Sequence, residues 1–184
     1  NARDHNNSKY LVSIFGRTGD GKSVCATTKF EPYFFIKIKR VSEKIDIIED
    51  LEKRFNNDTD QYSNMVKRVD LVKSKDLMGL QNNAKHIFVK ITFNTQANMK
   101  KVENFCHKCY KNRVYEANIE PFLRLMHGTG IKSTGWLKAV GQHRKSNSIS
   151  NCDVDLYVPD WKTLEPVDRD DIAPFKIVSF DIET

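Results

Sequence analysis

Residues 15–28 read Phe15-Gly16-Arg17-Thr18-Gly19-Asp20-Gly21-Lys22-Ser23-Val24-Cys25-Ala26-Thr27-Thr28. Gly16 to Ser23 satisfies the spacing G-x-x-x-x-G-K-[ST], the signature of a loop whose backbone amides cradle phosphates. Such a loop needs a helix opening at its Lys-Ser pair, so that the helix dipole faces the phosphates. After Lys22, however, the chain runs Ser-Val-Cys-Ala-Thr-Thr, rich in β-branched residues, with Pro32 soon after. That composition favours a strand. Lys9 to Phe15 reads as a strand too, and Asp20-Gly21 is a turn dipeptide. The glycines then serve as positive-φ positions in a β-hairpin. A nucleotide hydrolase built on Gly16–Ser23 is the alternative.

The chain has 184 residues and 39% hydrophobic content, enough for one good core or two small ones. It has no apolar run near the length of a membrane span and no signal-like start, so a soluble protein without a membrane partner is expected. A first residue other than Met and a last residue inside an apparent strand lead us to expect a fragment. Four cysteines in an otherwise ordinary composition point to a reducing, intracellular compartment. Net charge is +6, unevenly spread: residues 151–184 hold three basic and nine acidic side chains, residues 1–150 hold 27 and 15. A basic body with an acidic end suits a nucleic-acid-facing part joined to a metal-binding one.

Glu31 to Arg40 is the next strand, aromatic on both faces at Tyr33, Phe34 and Phe35, at least two of which are expected in the core. Tyr33, Lys37, Lys39 and Arg40 are candidates to stack bases and neutralise phosphates. Ser42 is expected to cap a helix to Phe55 carrying Ile45, Ile48, Leu51 and Phe55 on one face. Tyr62, Met65, Val66 and Val69 suggest a second short helix, with extension over Val69–Val72. His86 to Phe93 alternates as a strand, with Ile87, Val89, Ile91 and Phe93 on one face. Thr95 to Lys111 is a helix with a stripe of Met99, Val102, Phe105, Cys106, Cys109 and Tyr110. Cys106-x-x-Cys109 has zinc-ligand spacing, yet without a second pair both are read as buried thiols. Val114 to Met126 is a turn into a short helix ended by Gly128 and Gly130, and Ser133 to Val140 a strand. Gly141 to Ser150 is an exposed basic loop containing Arg144 and Lys145, both candidate phosphate contacts. Asp153 to Val158 is a strand, and an acidic connector leads from Pro159 to Pro174.

The chain closes on Phe175-Lys176-Ile177-Val178-Ser179-Phe180-Asp181-Ile182-Glu183-Thr184. Lys176 to Phe180 reads as a strand. Asp181 and Glu183 share its face, about 6.6 Å apart at Cα, and are hard oxygen ligands suited to Mg²⁺ or Mn²⁺. The other acidic pairs at this spacing, Asp58/Asp60, Asp153/Asp155 and Asp168/Asp170, are read as facing solvent.

Taken in order, these pieces resemble a known family. They are the Gly-x-x-x-x-Gly-x-Ser hairpin, the Glu31-Pro32-Tyr33-Phe34-Phe35 strand, a Tyr115-Glu116-Ala117-Asn118-Ile119 helix and Arg124-Leu125-Met126. Gly130-Ile131, Gly135-Trp136 and the terminal Phe180-Asp181-Ile182-Glu183-Thr184 complete the set. From Lys9 onward the chain resembles the amino-terminal domain of family B DNA polymerases, in a delta-like form seen in large DNA viruses of eukaryotes. The resemblance implies a mixed α/β fold of a β-hairpin or barrel-like sheet plus RNA-recognition-like βαβ pieces. Residues 1–150 would form the amino-terminal domain, 151–174 a strand and acidic connector, and 175–184 the first strand of an RNase H-like 3′→5′ exonuclease domain.

It further implies that Asp181 and Glu183 are catalytic metal ligands of the first exonuclease motif, binding Mg²⁺ or Mn²⁺ in the full-length enzyme. The other exonuclease and polymerase motifs are absent here, so this region alone should be inactive and hold no cofactor. Its expected role is to brace the exonuclease and guide single-stranded template. Its expected partners are DNA, the rest of the polymerase chain and a processivity factor, in a host nucleus or cytoplasmic viral replication site. Archaeal relatives read template uracil with a Pro-Tyr-Phe strand and an Ile-Pro-Phe segment. Pro32 and Tyr33 match the first, but Glu120 interrupts the second, so that role is not carried over. A stand-alone single-strand-binding module is the remaining alternative.

Overall fold

Gly16 to Ser23 joins two antiparallel strands, β1 (Leu11–Arg17) and β2 (Ser23–Lys29), in register from Leu11↔Lys29 to Arg17↔Ser23. The turn closes on itself. Thr18 N–H donates to the Lys22 carbonyl at 3.0 Å, Lys22 N–H to Thr18 Oγ1 at 3.0 Å, and Arg17 Nη1 to the Gly21 carbonyl at 2.7 Å. Gly21 takes φ +87°, a region L side chains avoid. Lys22 pairs with Asp20 at 3.0 Å on the surface, and no helix opens there to aim a dipole at a phosphate. The hydrolase alternative is thereby excluded.

The computed structural model describes residues 9–40, 42–57, 60–75, 84–144, 148–174 and 179. It is mixed α/β and divides into two units, one of residues 1–10 and 30–123, the other of residues 11–29 and 124–184. Among the described residues no helix is long and apolar enough to cross a membrane.

The first unit runs β3 (Tyr33–Lys37), α1 (Glu43–Phe55), β4 (Val66–Lys75), β5 (Lys85–Phe93), α2 (Gln96–Cys109) and β6 (Val114–Tyr115). This is a β-α-β-β-α-β order. Its sheet is antiparallel throughout, arranged β4-β5-β3-β6. Strand alternation sends Phe34 and Ile36 of β3, and Val89, Ile91 and Phe93 of β5, to the face covered by both helices. There they meet Ile47, Leu51 and Phe55 of α1, and Met99, Val102 and Cys106 of α2, all buried. Phe34 stacks on Phe93 with centroids 5.4 Å apart. Thr95 caps α2 by accepting from Asn98 N–H at 3.1 Å.

The structure corrects several expectations. Ser42 precedes α1 but makes no side-chain cap bond, because its backbone is already helical at φ −62°, ψ −33°. Ile45 is 62% exposed; the inward stripe is Ile47, Leu51 and Phe55, with Ile48 beside it. Tyr62, Met65, Val66 and Val69 do reach the core, yet from a turn and from β4 rather than from a helix. Pairing with β5 runs from Val66↔Phe93 to Lys75↔Lys85, and a ladder that long outweighs local helix preference. Tyr115 to Ile119 is not helical: Val114–Tyr115 pairs with β3, and Glu116 turns the chain at φ +61°. Of the three strand aromatics, Phe34 alone is fully buried, while Tyr33 and Phe35 are half-buried on the other face.

Cys106 is buried, whereas Cys109 is exposed, which corrects the reading of both as core thiols; neither is bridged. Cys109 is seven positions after Val102 and so only about 20° from it around the helix, but it is the last residue of α2, past the end of the buried stripe of Met99, Val102 and Cys106. Burial, and beyond it the nearby Cys109 and Asp50, pushes the Cys106 thiol upward, away from the reactive thiolate. Thiol labelling of the native chain at neutral pH is expected to modify Cys109 readily and to spare Cys106 until denaturant is added. Equal rates at the two would contradict this packing.

The second unit places β1 and β2 in a sheet ordered β1-β2-β9-β8, with β8 spanning Gln142–His143 and β9 Val154–Val158. β9 runs parallel to β2 and antiparallel to β8, which explains why residues 11–29 belong with residues 124–184. Ser23 N–H and Oγ both reach Asp153 Oδ2, at 2.8 and 2.7 Å, clasping the start of β2 to that of β9. Gly141 is required where it stands, since an added Cβ would lie 2.5 Å from the Tyr157 carbonyl oxygen. Helix α3 (Pro121–Thr129) ends at Gly130, φ +73°. The connector expected from Pro159 to Pro174 contains a 3₁₀ turn (Trp161–Thr163) and β10 (Glu165–Val167), which pairs with β7 (Trp136–Lys138). Trp136 donates its indole N–H to the Asp171 carbonyl at 2.6 Å, under the Arg169 guanidinium.

Candidate nucleic-acid interface

Because alternate residues of a strand face opposite ways, the face of the β4-β5-β3-β6 sheet opposite α1 and α2 carries Tyr33, Phe35 and Lys37 of β3. Phe88, Lys90 and Thr92 of β5 join them by register: Tyr33↔Thr92, Phe35↔Lys90, Lys37↔Phe88. Tyr115 of β6 pairs beside Phe35. The rings form a ladder, Tyr33 to Phe35 at 5.4 Å, Phe35 to Phe88 at 6.1 Å and Phe88 to Tyr115 at 5.6 Å, each steeply tilted. Edge-to-face contacts of this kind satisfy the ring quadrupoles within the protein. Lys90 Nζ sits 3.9 Å from the Tyr33 centroid. That face of the ring already holds a cation, which limits it as a base platform but places charge beside it. Thr92 Oγ1, buried on the same face, has no hydrogen-bond partner among the described residues.

The sequence-predicted contacts therefore fall into groups. Tyr33 and Lys37 share a strand face, and Lys39 and Arg40 come immediately after, both exposed. Arg144 lies in the second unit, just past β8, half-buried with its guanidinium 5.1 Å from the Tyr157 centroid. Lys145, Asp181 and Glu183 lie outside the described residues. Lys90 and the partner rings Phe88 and Tyr115 were missed. Their signal was present, since the strand whose apolar residues are Val89, Ile91 and Phe93 must present Phe88, Lys90 and Thr92 on its reverse.

Elsewhere in the first unit, Glu103, His107, Val114, Glu116, Ala117 and Asn118 line a recess of about 320 Å³. Two carboxylates make it unsuited to a phosphate backbone. Among the described residues no group of three or more His, Cys, Asp or Glu is placed to hold a metal ion.

Comparison with known proteins bears out the family resemblance read from the sequence. Residues 112–184 match the model described as DNA polymerase family B, exonuclease domain. The chain is 29% identical to a DNA polymerase of Acanthamoeba polyphaga mimivirus, over 95% of this chain and 11% of that protein. It is also 29% identical to one from Pyramimonas orientalis virus, covering 98% and 16%. A DNA polymerase delta catalytic subunit of Dictyostelium discoideum is 27% identical, covering 94% and 18%. The chain thus spans under a fifth of the length of these relatives. In fold it is similar to the family B DNA polymerase of the hyperthermophilic archaeon Pyrobaculum calidifontis, with a TM-score of 0.62, 20% identity, and coverage of 88% and 19%.

Proposed function

We infer that this chain is the amino-terminal region of a family B DNA polymerase, running into its proofreading exonuclease domain. The match of residues 112–184 to the exonuclease-domain model carries the reading, because that stretch takes in Asp181 and Glu183. The full-length protein is then a DNA-directed DNA polymerase with a 3′→5′ exonuclease, acting in replication. This region alone completes neither active site. Asp181 and Glu183 supply the hard oxygen donors that Mg²⁺ or Mn²⁺ takes, and such ions, when bound, would polarise the scissile phosphodiester.

The charge break at residue 150 supports the division into an amino-terminal domain (1–150), a strand and acidic connector (151–174) and the exonuclease start (175–184). The β-α-β-β-α-β order with both helices on one sheet face supports an RNA-recognition-like piece in the first unit. Partners are DNA and the remainder of the polymerase chain; a processivity factor rests on the family resemblance alone. Four free thiols suit a reducing, intracellular setting.

Within the whole, this region guides single-stranded template. Tyr33, Lys37, Lys39, Arg40, Arg144 and Lys145 supply the contacts, and Lys90 adds charge beside Tyr33. Binding of an unstructured oligonucleotide to the 184-residue chain tests this. About three phosphate contacts on a single strand give a log–log salt slope near −2, and Lys37→Ala with Lys39→Ala, removing two of them, should bring it about 1.4 units nearer zero. No binding at low salt, or an unchanged slope, would leave the region a brace and no template guide.

A further inference from the structure

The cations of β4 divide into two sets. Near the start of the strand both have acidic partners: Lys67 pairs with Glu31, and Arg68 Nε with Asp70 Oδ2 at 2.6 Å. Lys73 and Lys75 at the other end, and Lys85 opening β5, are exposed. Among the described residues neither Lys73 nor Lys85 makes an ion pair. Register sets Lys75 directly opposite Lys85, and Lys73 opposite Ile87. Paired residues point the same way, so the three lysines share one face of the ladder, the face on which Ile87 reaches the core.

Side chains directly opposite in such a ladder lie about 4.5–5.5 Å apart at Cβ, and like charges placed so are destabilising. Lys73, diagonal to Lys85, adds a third positive charge about 7–8 Å away. A lysine on an outer strand guards against edge pairing, which accounts for Lys73 and Lys75 on β4 but not for Lys85 across from them. Residues 76–84, which join the two strands, bring one carboxylate, Asp76, against three ammonium groups. A cluster that breaks the local pairing rule in this way suits an anion of repeated charge, which neutralises neighbouring ammonium groups together. The same end of the sheet carries more charge. Ile38 N–H donates to the Ile87 carbonyl at 3.0 Å, so β3 leaves the sheet beside these rungs. Lys39 and Arg40 follow, both exposed and neither in an ion pair among the described residues.

We propose that Lys73, Lys75 and Lys85 form a phosphate-binding patch at the end of the β4–β5 ladder, where a single nucleic-acid strand rounds the sheet from Lys37 by way of Lys39 and Arg40. This rests on the template-binding reading above, and the experiment separates the two. Binding of single-stranded oligothymidylate to the 184-residue chain is measured against salt for three proteins: the unaltered chain, Lys73→Gln with Lys85→Gln, and Lys37→Ala with Lys39→Ala. The patch adds to the contacts counted above, so the unaltered slope should be steeper than about −2. The glutamine variant should bring it about 1.4 units nearer zero, whereas Lys73→Arg with Lys85→Arg, which keeps the charge, should leave it in place. The glutamine variant's thermal midpoint should not fall, because removing like charges relieves repulsion. A lowered midpoint in both the glutamine and arginine variants would assign these lysines to the fold and overturn the patch. An unchanged slope for the glutamine variant beside a reduced one for Lys37→Ala with Lys39→Ala overturns the patch and spares the template reading. The reverse result supports the patch and overturns the path through Lys37 and Lys39. Unchanged slopes for both overturn the two together. Polyglutamate that displaces the oligonucleotide at equal charge concentration would mark a surface for an acidic protein segment and overturn the nucleic-acid assignment.

Discussion

Asp181→Ala with Glu183→Ala in the full-length polymerase is expected to abolish 3′→5′ excision while polymerisation proceeds largely as before. Charge is the reason. Phosphodiester cleavage concentrates negative charge on the attacking and departing oxygens, and a metal pair about 3.5–4 Å apart neutralises it. Carboxylates two apart on a strand share a face and can reach a common ion. With both as ligands, as proposed above, their removal would take hard oxygen donors from the ions just where charge grows. A contribution of several kcal/mol corresponds to roughly a thousandfold or more in excision rate. On the function proposed above, polymerisation draws on a separate active site, so it should be spared. Single-turnover degradation of a 3′-mismatched primer, measured beside primer extension, checks both halves. Normal excision by the double variant would sink the assignment.

The largest effect on stability is expected from Phe34→Ala. Phe34 is fully buried, stacks on Phe93, and sits in the cluster of Ile36, Leu51, Val89, Ile91 and Met99. Removing the ring forfeits its transfer energy and leaves a cavity that strand and helix backbones cannot close, together costing about 3–5 kcal/mol. Domains are stable by only about 5–15 kcal/mol, so much of the first unit's margin would go. Phe15→Ala is the natural control: that ring is 69% exposed on β1, and its loss should fall within about 0.5 kcal/mol. Urea unfolding monitored by circular dichroism measures both. Equal midpoint shifts would mean that the sheet-and-helix core is not where the stability lies.

The sequence by itself determined those parts of the protein whose signal is local. The β-branched and small residues after Lys22 were enough to predict a hairpin over a nucleotide loop, because dihedral preference and turn chemistry act within a few residues. Alternation over 86–93 located β5 and its buried face, and the spacing from Met99 to Cys106 located α2 and its inward stripe. The ordered motifs ending in Asp181 and Glu183 pointed to the family, which the comparisons bear out.

Tertiary structure decided what depends on a partner distant in sequence. Val66–Lys75 is a strand because β5 offers it a ladder, and Val114–Tyr115 is one because β3 does. Ile47 rather than Ile45 faces inward because the helix rotates to the sheet beneath it, not to its own richest stripe. Of the template-binding candidates, Tyr33 and Lys37 were legible from alternation. Lys90 over Tyr33 required the β3–β5 register. Asp153 and Asp155 are two residues apart and identical in type, yet one is exposed and the other buried. A carboxylate's surroundings are set by the strands paired beside it and the loop folded over it, and neither is written in its neighbours along the chain.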